Sequence, residues 1–160
     1  MMADDMFLKI DGIKGESLDA KHKGDIDIEA FSWGVSNSGS PTGGGAGAGK
    51  ATFEDLSFVA RTSAASPQLF LATASGKHMK EAMLTVRHAG KQQLEYIKIK
   101  LTELNISSYQ QSASGSDGPT DTFSLRFARI DFSYAPQRPD GTLDTPIVAG
   151  WDVESQNQKM

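Results

Sequence analysis

"FSLRFARIDFSY", Phe123 to Tyr134, carries two alternating patterns that do not share a phase. Phe123, Leu125 and Phe127 recur at period two, and Ile130, Phe132 and Tyr134 then recur at period two, one step out of register. Period two is strand spacing, with successive side chains on opposite faces. A one-residue slip turns the apolar set to the other face unless the strand bulges or bends. The same slip occurs twice more. Ile26, Ile28 and Ala30 hand over to Phe31, Trp33 and Val35, and Leu94 and Tyr96 hand over to Ile97, Ile99 and Leu101. Three slips in long strands predict bulges, or strands that bend from one sheet into another, as barrels require.

Working outward, Met6, Leu8 and Ile10 predict a first short strand, "AMLTVRH" predicts another at about residues 82 to 88, and Ile147, Ala149, Trp151 and Val153 predict a last one. In "ATFEDLSFVA", Leu56, Phe58 and Ala60 fit a strand, although Phe53, Leu56 and Ala60 also fit a helix. One segment reads clearly as helix. Ser66 is placed as its N-cap, Pro67 as its first residue, Leu69, Phe70 and Thr73 or Ala74 as its apolar stripe, and Gly76 as its stop. Many strands with one short helix describe a small β-barrel or sandwich, a single domain over residues 1–160. "SASGSDGPT", Ser112 to Thr120, reads as a loop, and "PQRPDGT", Pro136 to Thr142, as turn chemistry.

The stretch "SGSPTGGGAGAGK", Ser38 to Lys50, ends in G-x-x-x-x-G-K. A phosphate loop needs Ser or Thr next and a helix beginning there. Ala51 follows instead, so a long connection between strands is the better reading. Such loops are uncommon in compact domains and are usually functional or disordered.

The bulk properties exclude more than they assign. Net charge is −4, with 16 Lys plus Arg scattered along the chain, which gives no footprint for nucleic acid. The absence of cysteine removes disulfides, thiol catalysis and thiolate metal sites. "MMADDMFLKIDG" has acid where a signal peptide needs base, and no segment is apolar enough to insert in a membrane. His22, His78 and His88 lack ligand spacing. Asp25, Asp27 and Glu29 alternate onto one strand face and read as a solvated face paired across strands with Lys98 and Lys100. Trp33 and Trp151 continue apolar strand patterns, with a sugar-stacking platform as the alternative. No catalytic constellation, metal site or cofactor motif is found, so the reading is no enzyme. Binding or assembly remains.

"KIDGIKGESLDAKHKGDIDIEAFSWG" (Lys9 to Gly34) with the following loop ending "GAGK", "SPQLFLATASGKHMKEAMLTVRHAG" (Ser66 to Gly90), "EYIKIKLTELNISSYQ" (Glu95 to Gln110) and "FSLRFARIDFSYAPQRPDGTLDTPIVAGWD" (Phe123 to Asp152) strongly resemble the haemolysin-coregulated protein family, Hcp, of bacterial type VI secretion. The resemblance covers essentially the whole chain. It implies a mainly β fold, a pseudo-β-barrel of two antiparallel sheets with one short flanking α-helix and long loops. It also implies homohexameric rings stacked into a tube inside a contractile sheath, capped by a VgrG-type spike, and carrying effector proteins in the lumen. Such a protein is cytoplasmic during assembly and leaves through the machine without a conventional signal peptide. On the family pattern, Gly43, Gly44, Gly45, Gly47 and Gly49 belong to a ring-stacking loop. Ser32 then faces the lumen, with Phe31 and Trp33 turned into the barrel. The alternative kept beside this is a monomeric ligand- or carbohydrate-binding β-sandwich.

Overall fold

The computed structural model describes residues 4–41, 49–90 and 92–159, the last three through their backbone. Eleven strands and one helix follow in the order β1 (Asp4–Ile10), β2 (Ile26–Ile28), β3 (Ala30–Ser32), β4 (Val35–Asn37), β5 (Ala51–Phe53), β6 (Leu56–Arg61), α1 (Ala65–Ser75), β7 (His78–His88), β8 (Glu95–Ser114), β9 (Gly118–Tyr134), β10 (Ile147–Asp152) and β11 (Asn157–Lys159). Nine strands form one antiparallel sheet in which β2, β1, β7, β8, β9, β10 and β11 are successive neighbours, while β6 joins β9 and β3 joins β6. The remaining two, β4 and β5, form a separate hairpin.

The slips are where the sheet turns on itself. Glu29 separates β2 from β3, and its amide bonds to the Val59 carbonyl (2.8 Å). The chain therefore leaves β1 and crosses to β6 within a few residues. This crossing nearly closes the barrel through β1, β7, β8, β9, β6 and the β2–β3 bend. At the second slip, Val86 pairs with Ile97 but Arg87 with Glu95, so Tyr96 is bulged out. At the third, Thr102 pairs with Arg129 and Leu104 with Phe127, and Glu103 between them takes φ of 54°. A further shift between Ile106 and Ser108 bends β8 again.

Inward positions of every barrel strand meet in one core. Phe58 and Phe123 are directly paired across β6 and β9, their rings stacked at 5.3 Å, with Leu8, Leu56, Leu84, Ile99 and Leu125 fully buried around them. Burial of each such side chain contributes roughly 1.5–3 kcal/mol. The helix lies beside the barrel and buries Leu69 and Ala72, and Gly76 ends it in the left-handed region at φ 67°.

Several expectations need correcting. Residues 112–120 are not an open loop. The strands β8 and β9 pair to their ends, with Ser114 opposite Gly118, and only three residues turn between them. Gly118 supplies the positive φ (76°) that this turn needs, so polar composition concealed a hairpin. The helix begins at Ala65 with Ala64 as its N-cap, and Ser66 lies inside it. The Ser66 hydroxyl is taken by the buried Asp121 carboxylate, and Ser63 accepts the Ala65 amide instead (3.1 Å). Phe70 points outward, 59% exposed. In the segment 51–60, both β5 and β6 are strands, which settles that ambiguity.

Candidate functional site

Three surfaces stand out. The first is the β4–β5 hairpin that carries the Gly-rich segment. Its base is closed by the bond from the Glu54 amide to the Gly34 carbonyl (2.9 Å) and by packing of Phe53 on Phe127 (5.9 Å). Toward the tip, Asn37 Oδ1 accepts the Gly39 amide (2.7 Å), Asn37 Nδ2 donates to the Gly49 carbonyl (3.2 Å), and Ser38 Oγ accepts the Lys50 amide (3.3 Å). Gly49 lies against the opposite arm so closely that a Cβ would sit 2.0 Å from the Gly39 nitrogen. Glycine is required there for the two backbones to meet. Gly43, Gly44, Gly45 and Gly47 lie outside the described residues. A strand, not a helix, follows Lys50, which removes the geometry of a phosphate loop.

The second surface is apolar. Along β9 the inward face holds Ile130, buried, then Phe132 and Tyr134, which emerge where the barrel ends. Across from them on β10, Ala149 pairs with Phe132 and Ile147 with Tyr134. Ile147 is 68% exposed. Trp33 meets Phe132 edge-on at 5.9 Å and Tyr96 meets Tyr134 edge-on at 6.2 Å. The Tyr96 hydroxyl donates to Asp4, and burial followed by that carboxylate pushes its pKa up to about 12. The core face thus continues past the barrel onto β10, where Phe132, Tyr134 and Ile147 remain exposed. Trp33 and Trp151 are half-buried and pack on the core, so neither presents the open indole face a sugar platform needs.

The third surface carries Ser32. It is exposed on β3, whereas Phe31 and Trp33 on either side are half-buried against the core. Ser32 faces Ser57 on β6.

The segment 14–25 lies over the outer side of β1 and β7, so that Phe7, Thr85 and Arg87 are buried although they point away from the core. Arg87, 3% exposed, donates to both carboxylate oxygens of Asp19 (2.6 and 3.0 Å), reaches Asp5 (3.3 Å) and stacks its guanidinium on Phe7 (4.7 Å). The Arg87 hydrogen bonds hold the Asp19 carboxyl below the usual carboxylate range. His22 stacks on Phe7 (4.4 Å) between Asp25 (3.0 Å) and Glu95 (2.7 Å). His88 stacks on Tyr96 (4.0 Å), and His78 pairs with Glu103 at the surface. Asp25, Asp27 and Glu29 do not pair with Lys98 and Lys100. Asp25 is buried beside His22, Glu29 pairs with Arg61 (3.5 Å), and the lysines pair with Glu95 (3.8 Å) and Glu81 (3.2 Å). Among the described residues, no group of three or more His, Asp or Glu is placed to hold a metal ion, and no helix is long and apolar enough to cross a membrane.

The comparisons with known proteins agree with one another. The family model "Type VI secretion system effector, Hcp" matches residues 7–134. Protein hcp1 of Pseudomonas aeruginosa is 45% identical, over 98% of this chain and 99% of that protein. Among solved structures, Hcp1 of Salmonella typhimurium superposes with a TM-score of 0.82 at 33% identity, covering 99% of this chain and all of the other. A structure described as a type six secretion system protein gives 0.91 at 30% identity, over 98% of this chain and all of the other. With sequence, family model and fold in accord over nearly the full length, the chain belongs to the Hcp family of type VI secretion proteins.

Proposed function

We propose that this chain is a structural tube protein. Six copies form a ring, and rings stack into the inner tube of a type VI machine, which leaves the cell with a VgrG-type spike when the surrounding sheath contracts. Effector proteins travel in the lumen, where Ser32 is a contact residue. The chain is cytoplasmic until export and needs no catalysis, cofactor, nucleic acid or membrane insertion for this role.

The observation that carries the reading is the apolar strip of Phe132, Tyr134 and Ile147, which runs off the barrel onto β10. Apolar and aromatic groups at the centre of a surface are what subunit interfaces bury. A ring requires that strip to meet a different edge of the neighbouring copy, with a rotation that closes. The Gly-rich segment carried between β4 and β5 suits the contact between rings.

The test is the native mass of the purified chain together with negative-stain images of the same sample. Six-chain rings with an open centre are expected, and a monomer that persists at high concentration overturns the reading. Deleting residues 40–48 should abolish stacking and leave rings. Ser32→Gln should leave rings intact and reduce retention of co-expressed effector.

A further inference from the structure

Where the segment 14–25 leaves β1 and returns, its two arms meet backbone to backbone. The Gly15 amide donates to the Gly24 carbonyl (2.8 Å) and the Gly24 amide to the Ser17 carbonyl (2.9 Å). A Cβ on Gly15 would sit 2.5 Å from the Asp25 carbonyl oxygen, so glycine is required for this approach. Gln68, in the first turn of α1, fixes the entry arm from the side. Its Oε1 accepts the Lys14 amide (3.2 Å) and its Nε2 donates to the Lys14 carbonyl (3.1 Å). Between these walls lies a cleft of about 680 Å³, a size common for small-molecule sites. Ile10 and Ile13, both buried, form its floor. Lys9 from β1, Lys14 from the entry arm and Lys23 from the return arm form its rim.

These cations are not balanced from within. On the neighbouring strands Lys98 and Lys100 are paired with Glu95 and Glu81, whereas Lys9, Lys14 and Lys23 have no carboxylate partner among the described residues. Lys77 adds a fourth ammonium group, its Nζ 3.7 Å from where a Cβ on Gly12 would lie. Of the two carboxylates in the lining, Asp25 is buried and turned to His22 (3.0 Å), and Asp11 is exposed. Four ammonium groups thus stand against one exposed carboxylate, in a chain whose net charge is −4.

We propose that this cleft binds a linear polyphosphate, whether an inorganic chain or the triphosphate of a nucleotide. Lysine is a point charge that meets a tetrahedral phosphate from any side, while arginine supplies the planar fork that matches a carboxylate. The lining holds lysines and no arginine. A run of phosphates carries one negative charge after another, and so bridges cations that come from three parts of the chain. The apolar floor lowers the local dielectric and strengthens each pairing. A ligand held by Lys9, Lys14 and Lys23 together ties both arms of the 14–25 segment to β1. The cleft lies within one subunit and is independent of any ring.

The test uses the full-length protein with inorganic triphosphate, ATP and citrate as probes, titrated by calorimetry without divalent cations at low and high salt. Triphosphate is expected to bind once per chain and more weakly at high salt. It should also slow hydrogen exchange at the Gly15 and Gly24 amides, which hold the two arms together. Citrate, with planar carboxylates, should bind several-fold more weakly. Lys9→Gln, Lys14→Gln and Lys23→Gln should each weaken triphosphate by about fivefold, and these side chains are exposed, so the melting temperature should match wild type. Lys50→Gln, beside the Gly-rich segment, should leave binding unchanged. ATP bound no more tightly than triphosphate upholds the site with the phosphate chain alone as its ligand. ATP bound more than about tenfold tighter upholds it with a nucleotide whose base covers the isoleucine floor. No binding of triphosphate or ATP at millimolar concentration overturns the proposal. So does citrate binding as tight as triphosphate, or an affinity that the three cleft variants leave unmoved.

Discussion

Gln156, in the turn between β10 and β11, accepts the Ala51 amide of β5 through Oε1 at 2.9 Å, while its Nε2 donates to the Val153 carbonyl at 2.8 Å. Gln156 itself takes φ of 55°. One side chain therefore ties the end of the large sheet to the hairpin that carries the Gly-rich segment. Gln156→Ala should raise hydrogen exchange at Ala51 by roughly tenfold, as loss of one hydrogen bond predicts, with the melting temperature nearly unchanged. Gln156→Glu keeps an acceptor and should restore most of the protection. Equal exchange in wild type and Gln156→Ala would show that the tether is not closed in solution.

The Phe58–Phe123 stack lies at the centre of the barrel, 1% and 0% exposed. Phe123→Ala should cost about 3–5 kcal/mol, as other buried aromatics do, and lower the urea midpoint without changing the slope. A loss below about 1 kcal/mol would mean that the barrel refills the space.

Asp121 is 1% exposed and accepts three hydroxyls, from Thr62 (2.9 Å), Tyr109 (2.9 Å) and Ser66. Burial first, and then this carboxylate, raise the Tyr109 pKa. Asp121→Ala strands the buried Ser66 donor and the half-buried Thr62 and Tyr109 donors and should cost about 2–4 kcal/mol, with the helix N-terminus fraying first in hydrogen exchange. Asp121→Asn retains one acceptor and should lose less.

The Arg87 clasp gives a pH dependence of known sign. Asp19 titrates lower folded than unfolded because Arg87 donates to it. Its contribution is therefore complete above the unfolded value of about 4 and is lost as pH falls through the lower folded value. The urea midpoint of wild type should drop more steeply below pH about 4 than that of Asp19→Asn. Parallel curves for the two proteins would dismiss the clasp as a contributor.

Ile147 lies on the apolar strip and is 68% exposed, so the isolated subunit has little use for it. Ile147→Lys should leave the thermal stability of the subunit within about 0.5 kcal/mol and yield monomers in native mass measurements. Six-chain rings in that variant would move the ring interface away from β10.

Much of this architecture was legible because burial writes itself as alternation. The slips at Ala30/Phe31, Tyr96/Ile97 and Phe127/Ile130 mark the β2–β3 bend, the Tyr96 bulge and the irregular stretch around Glu103. What alternation does not encode was lost. The ends of β8 and β9 face water on both sides and carry Ser, Gln and Gly, so their pairing left no apolar trace. Ser66 looked like a cap because the sequence cannot show that Asp121, fifty-five residues away, takes its hydroxyl. The facing of Phe31, Ser32 and Trp33 agrees with alternation, but the pairing of Ser32 with Ser57 and of Ser57 with Ser124 is a matter of register between distant strands, which no single segment records.

The strand β9 belongs to two parts of the molecule at once. Its first half is hydrogen-bonded to β6 and β8 within the barrel, and its second half to β8 and β10, beyond the closure. A thrust delivered along the strand direction to β10 would load its six paired positions on β9 simultaneously, in shear, rather than peel them apart one by one. From there the same covalent backbone carries the force into the barrel without crossing a loop. For a type VI secretion protein, a single continuous strand running from the β10 edge into the barrel is a stiff member aligned with its own reinforcement.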